Sequence, residues 1–201
     1  MMKKLYGEVR NEMHEIGTGT EQCMVLFQRA FIKNSLDPLN VCREKLTAIR
    51  NGEAELAKKL KELTRKDETK KEYGVTFQHL IRICGVLAEL TEPLEKKIKG
   101  KILFSDRAVT EISFLSQNLA ELLKATADLI LVKNPILIRY VKESETMVAK
   151  MTIDYATHHE ERLIEGLCHT EASPLFLNIL ENFKKIAWEA KEIAKSMSEE
   201  A

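Results

Sequence analysis

The chain has 201 residues, 44% of them apolar, which is long and apolar enough for one domain or two small ones with a real core. Its 31 basic and 31 acidic residues cancel, which excludes a general pull toward nucleic acid or an anionic surface and leaves recognition to local patches. Eight glycines and four prolines, in a background rich in Leu, Ala, Glu and Lys, predict an all-α chain.

Apolar positions recurring at three and four residues predict six helices. The first runs from about Lys3 to Asn34, with Cys23, Leu26, Phe27, Ala30 and Phe31 on one stripe; Gly17 and Gly19 weaken its middle, where a bend or break is expected. Asp37 and Pro38 read as a cap-and-proline start for a second helix through Leu46, Ile49, Leu56, Leu60 and Leu63, which ends in the charged run Arg65 to Glu72. The third, roughly Thr76 to Lys99, carries Phe77, Leu80, Ile83, Leu87 and Leu90, with Pro93 expected to kink it and Gly100 to stop it.

Ser105 is a good N-cap for a fourth helix lined by Ile112, Leu115, Leu119, Leu122, Leu123 and Leu129, and Asp106 favours the positive end of its dipole. Asn134 with Pro135 repeats the start signal and opens a fifth helix to Gly166; the sixth runs from near Ser173 and Pro174 to about Met197. The halves match in helix length and order, so the expected architecture is two tandem antiparallel three-helix bundles, residues 1–100 and 101–201, related as an internal repeat.

The cysteines, Cys23, Cys42, Cys84 and Cys168, have no zinc or redox spacing and read as reduced, mostly buried thiols. The stretch from Gly7 to Glu15 is too polar for a signal peptide, and the run Leu129 to Val132 is far short of the roughly 20 residues that span a bilayer. No phosphate loop, nucleophile elbow or histidine pair around a helical glutamate occurs, so no catalytic residue is assigned and an enzyme is not expected. His158, His159, Glu161, Cys168 and His169 form the one local concentration of metal-ligand types. His158 and Glu161, a turn apart, and His169 are the weak candidates for an ion, against the simpler reading of a partly exposed polar face. Lys58, Lys59, Lys61, Arg65, Lys66, Lys70 and Lys71 make a basic band, but the interspersed Glu62, Asp67, Glu68 and Glu72 favour an ordinary solvated helix with near-neighbour ion pairs.

Two segments go further. FSDRAVTEI, from Phe104 to Ile112, resembles the fourth-helix opening of PhoU-like domains, and HHEERLIEGLC, from His158 to Cys168, resembles a pattern in their fifth helix. SPLFLNILENFKKIAWEAKEIAK, from Ser173 to Lys195, resembles their sixth. The resemblance is greatest to the PhoU-like domain of bacterial sodium–phosphate symporters; it covers most of the second half, and the first half through helix order and the stretch His79 to Leu90. It implies a regulator or accessory of phosphate transport and phosphate homeostasis, cytoplasmic or peripheral to the inner membrane. Such a protein acts by contact with a membrane phosphate transporter or a phosphate-sensing kinase, with a homodimer as a further arrangement.

The family carries paired acids one turn apart on its third and sixth helices that hold metal ions. Matched on the isoleucine, those positions are Ile81 and Gly85, and Lys184 and Trp188, so the family's metal motif is lost and no cofactor is expected. Glu181, Glu189 and Glu192 are the carboxylates nearest to a smaller site. Arg162, which matches the family's fifth-helix pattern, and Trp188, the only tryptophan, are the interface candidates. The alternative reading is a metal-binding helical bundle without a phosphate role; a third is a helical module with no phosphate link.

Overall fold

The computed structural model describes residues 2–198, the side chains of Met2 and Thr69 excepted. Its elements are helices α1 (Met2–Lys33), α2 (Asp37–Lys66), α3 (Lys71–Lys99), α4 (Asp106–Leu131), α5 (Pro135–Ile164) and α6 (Ser173–Ser196), with no strand among the described residues. Single 3-10 turns at Glu68–Lys70 and Thr170–Ala172 precede α3 and α6.

The helix ends follow from local chemistry. At Ser105 the hydroxyl accepts the Ala108 N–H at 3.3 Å, and at Asn134 the side chain accepts that of Ile136 at 2.8 Å. The third start signal is shifted: Asp37 lies inside the first turn of α2, and its N–H is taken by Ser35 Oγ at 3.3 Å. Three helices end the same way, with a left-handed residue followed by an N–H that reaches back five positions. These are Asn34 then Ser35 to Ala30, Lys101 then Ile102 to Lys97, and Gly166 then Leu167 to Arg162. Gly100 itself keeps right-handed φ, so the residue that turns the chain after α3 is Lys101.

Helix α1 and helix α4 run antiparallel, since Arg10 reaches the Leu131 carbonyl and Gln28 that of Ser113. Helices α3 and α6 do the same, with Thr76 meeting Ser196 and His79 meeting Glu189. Each of these pairs joins one half of the chain to the other, and a continuous core from Val9 to Met197 passes through both. The outer helices are placed less evenly: α2 lies mainly against α1, whereas α5 lies mainly against α6. Burial repeats from half to half. Leu80, Ile83, Cys84, Leu87, Leu90 and Leu94 of α3 are buried, and so, in the same order, are Phe183, Ile186, Ala187, Ala190 and Ile193 of α6 and Met197 at its C-cap. Each fully buried large side chain of this kind contributes about 1.5–3 kcal/mol.

The break expected at Gly17 and Gly19 is absent, because glycine there serves packing. A methyl group added at Gly17 would lie 2.8 Å from Cβ of Ala127 and 3.1 Å from its Cα, so the missing side chain is what lets α1 approach α4. Helix α3 likewise continues past the buried Pro93 to Lys99. It also begins earlier than Thr76, because Tyr73, 1% exposed, is anchored by the Tyr6 hydroxyl at 2.8 Å.

Candidate functional site

Ile81 and Gly85 lie on the outward face of α3, and Lys184 and Trp188 on that of α6. Ile81 and Gly85 line a groove of about 670 Å³ between α2 and α3, together with Leu46, Ile49, Cys84 and Ala88. Lys184 is exposed and Trp188 is 45% exposed on α6. The indole meets the His79 ring edge to face at 6.2 Å. His79 Nδ1 lies 2.5 Å from Glu189 Oε2, with Arg82 at 4.0 Å from the same oxygen. The other carboxylates of α6 are engaged too, Glu181 with Lys185 at 4.0 Å and Glu192 with Lys195 at 2.6 Å.

These residues do not fit a cluster of hard cations. Ile81, Gly85 and Trp188 offer no side-chain oxygen, and Lys184 repels an incoming ion. Among the described residues, no group of three or more His, Cys, Asp or Glu side chains is placed to share an ion.

The region from His158 to His169 separates into two environments. His158, Glu161 and His169 are exposed, and His169 borders a groove of about 330 Å³ with Leu103 and Glu171. His159 points the other way: it is 1% exposed, stacks on Phe176 at 4.5 Å, and neither ring nitrogen has a hydrogen-bond partner. Burial and the nearby Arg162 guanidinium lower its pKa below the ordinary histidine value. Arg162, proposed above as an interface candidate, grips Glu111 with two bonds of 3.0 and 2.8 Å, and Arg107 adds a third at 3.1 Å. Cys168 Sγ lies 3.7 Å from Ser105 Oγ beside them. The fork geometry suits a carboxylate that is only 2% exposed, and it pins α5 to α4.

Sequence reasoning did not single out Glu111, yet a signal was present: a lone carboxylate on the stripe of Ala108, Ile112 and Leu115. Four of the seven cations in the band from Lys58 to Lys71 are paired. Lys59 meets Glu12 at 2.6 Å, Lys58 meets Glu55 at 3.7 Å, Lys71 meets Glu68 at 3.5 Å, and Lys66 bonds Glu62. Cys23, Cys42 and Cys84 are buried free thiols and Cys168 is half-buried. Burial pushes the Cys84 thiol up to about 12, which keeps it protonated and unreactive.

Comparison with family models and with curated proteins found no match. Among solved structures, the crystal structure of PhoU from Pseudomonas aeruginosa superposes with a TM-score of 0.86 over 98% of this chain and 97% of that one, at 12% sequence identity. At that identity the likeness speaks for architecture alone. Six helices in the same order over nearly the whole of both chains leave one conclusion, that this protein has the PhoU-like fold.

Proposed function

We propose that this protein is a non-catalytic regulator or accessory of phosphate transport and phosphate homeostasis, acting on the cytoplasmic side through contact with a membrane phosphate transporter or a phosphate-sensing kinase. The whole-chain likeness to PhoU carries the reading, together with the sequence resemblance of the fourth, fifth and sixth helices. The described residues include no helix long and apolar enough to cross a membrane.

The contact face is the outer side of α6. Trp188 presents nearly half of its surface, Lys184 stands one turn before it, and Arg82 of α3 lies across from it, 55% exposed. An exposed indole flanked by cations suits a partner that offers an apolar pocket with acidic residues at its rim. Arg162 is already committed to Glu111 and in this reading orders the α4–α5 face rather than meeting the partner.

The test is Trp188→Ala. Co-purification with the phosphate transporter of the same cell should fall at least about tenfold, the loss of one hot-spot side chain. The melting temperature should hardly move, because the indole is not part of the core. A large drop in melting temperature with intact association would place Trp188 in a structural role, and wild-type protein that never co-purifies with a phosphate transporter or sensor kinase would remove the reading.

A further inference from the structure

Where the start of α1 meets the α2–α3 and α4–α5 turns, three cations gather on two phenols. The Tyr6 and Tyr73 hydroxyls share a 2.8 Å hydrogen bond, and their rings meet edge to face with centroids 5.5 Å apart. The Arg10 guanidinium lies 5.5 Å and the Lys70 ammonium 5.4 Å from the centre of the Tyr6 ring, while Lys133 lies 5.9 Å from that of Tyr73. Glu72, 2.7 Å from Lys133, is the carboxylate paired with this group. Neither Arg10 nor Lys70 forms an ion pair among the described residues.

Arg10 is the least satisfied of the three. Its guanidinium makes one long bond, 3.5 Å to the Leu131 carbonyl, and its Nε is buried without an acceptor. Folded chains pair the great majority of buried donors, and a half-buried cation without counter-charge is costly. Attraction to the Tyr6 ring offsets only part of that cost. Burial and the bond to Tyr6 hold the Tyr73 phenol above its ordinary value, so its hydroxyl keeps a proton for hydrogen bonding.

Lys133 also borders a groove of about 470 Å³, whose apolar lining includes Ile138 and Met197. Arg139 and Lys142 stand on its rim with weak partners, Glu143 at 3.9 Å and Ser198 Oγ at 3.5 Å. The local excess of positive charge therefore extends from the phenol pair into an open groove.

We propose that this end of the molecule binds a phosphate-type oxyanion, with Arg10, Lys70 and Lys133 supplying charge, the phenol pair supplying a hydroxyl, and the groove beside Lys133 receiving the group that carries the anion. The oxyanion comes either as a free phosphate compound or as a phospholipid headgroup. The site shares no residue with the face around Trp188 and does not depend on the function proposed above.

The experiment uses the full chain in two arms: calorimetric titration with inorganic pyrophosphate, and flotation with phosphatidylcholine vesicles with and without phosphatidylglycerol. Saturable pyrophosphate binding identifies a free ligand; flotation that requires phosphatidylglycerol identifies a headgroup. In whichever arm responds, Arg10→Gln and Lys70→Gln should each weaken binding by about tenfold or more, as expected for one charge-assisted contact. Lys58→Gln, on the exposed face of α2, should leave binding unchanged. Lys70→Gln serves where Arg10→Gln disturbs folding, and a melting curve for each variant shows which case applies. Failure of the wild-type chain to bind in both arms overturns the proposal, as does binding that survives the Lys70 substitution in a folded protein.

Discussion

Along α3 and α6 the core positions repeat almost one for one, Leu80 with Phe183, Ile83 with Ile186, Leu90 with Ile193, while the outward positions diverge into Ile81 and Gly85 on one helix and Lys184 and Trp188 on the other. The surroundings diverge as well. Beside Gly85 the chain leaves a groove and α2 lies against α1; on the other side α5 closes on α6, tied by the Glu145–Lys191 contact at 2.6 Å. The buried register of the repeat determines where the helices go, and the exposed register is free to change. Since the residues that would hold a metal or meet a partner belong to the exposed register, the fold survives changes there that alter what it binds.

The first helices of the two halves make the same point with charges. Lys4 and Glu8 of α1 form a loose exposed pair at 3.8 Å, whereas Arg107 and Glu111 of α4, spaced identically, hold a nearly buried carboxylate that Arg162 also grips. Replacing Arg162 by Met strips the principal counter-charge from a buried acid and should cost about 3–5 kcal/mol, read from denaturant unfolding. The corresponding change at Lys4 should be undetectable. Equal losses at the two sites would show that burial does not distinguish the halves.

A smaller contrast uses two mid-helix glycines. Gly17→Ala pushes a methyl group into Ala127 across a backbone contact and should destabilise by about 1–3 kcal/mol. Gly85→Ala meets nothing within 4 Å and should stabilise by about 0.5–1 kcal/mol through helix propensity alone. Thermal melts of the two variants should move in opposite directions; a shared direction would mean that α1 and α4 are not held as closely as described.

His159 gives the next effect, which depends on pH. Its folded pKa is lowered, so the unfolded chain binds the extra proton more readily, and stability is lost as pH falls below the unfolded histidine value of about 6.5. Glu95, held down to about 2 by Arg43 and then Lys99, gives up its contribution as pH falls from the ordinary glutamate value of about 4.3 toward 2. The two windows separate. His159→Phe should therefore flatten the loss between pH 7 and 5.5 while leaving the steeper acid transition in place, and an unchanged profile would place the proton elsewhere.

The weakest effect concerns the outward register itself. Lys184→Glu combined with Trp188→Asp puts two carboxylates one turn apart on an exposed face and should create a divalent-cation site with an affinity on the order of millimolar. No gain over the parent in calcium or manganese titration would show that two ligands on α6 are too few without help from a neighbouring helix.

The stripes of apolar residues were legible in the sequence because helical period is a property of near neighbours, and so were the caps at Ser105 and Asn134. Tyr73 was not, since the charged run Arg65 to Glu72 reads as a linker until Tyr6, remote in sequence, is known to bond it. Gly17 was misread for the same kind of reason: a glycine that breaks a helix and one that admits a neighbour look alike without Ala127. The candidate site divided along this line. That Ile81, Gly85, Lys184 and Trp188 offer no pair of acids could be read locally, but the union of Arg162 with Glu111 and of His79 with Glu189 depends on helices brought together from far along the chain.

The pairing of α1 with α4 also sets a schedule for synthesis. Arg10 and Gln28 find their carbonyl partners 121 and 85 residues later in the chain, so at about 5–20 residues per second the face of α1 that carries Gly17 waits roughly 5–20 s for the helix that covers it. During that interval α1 can rest only on α2 and α3, and its apolar stripe stays uncovered, as that of α3 does until α6 is made.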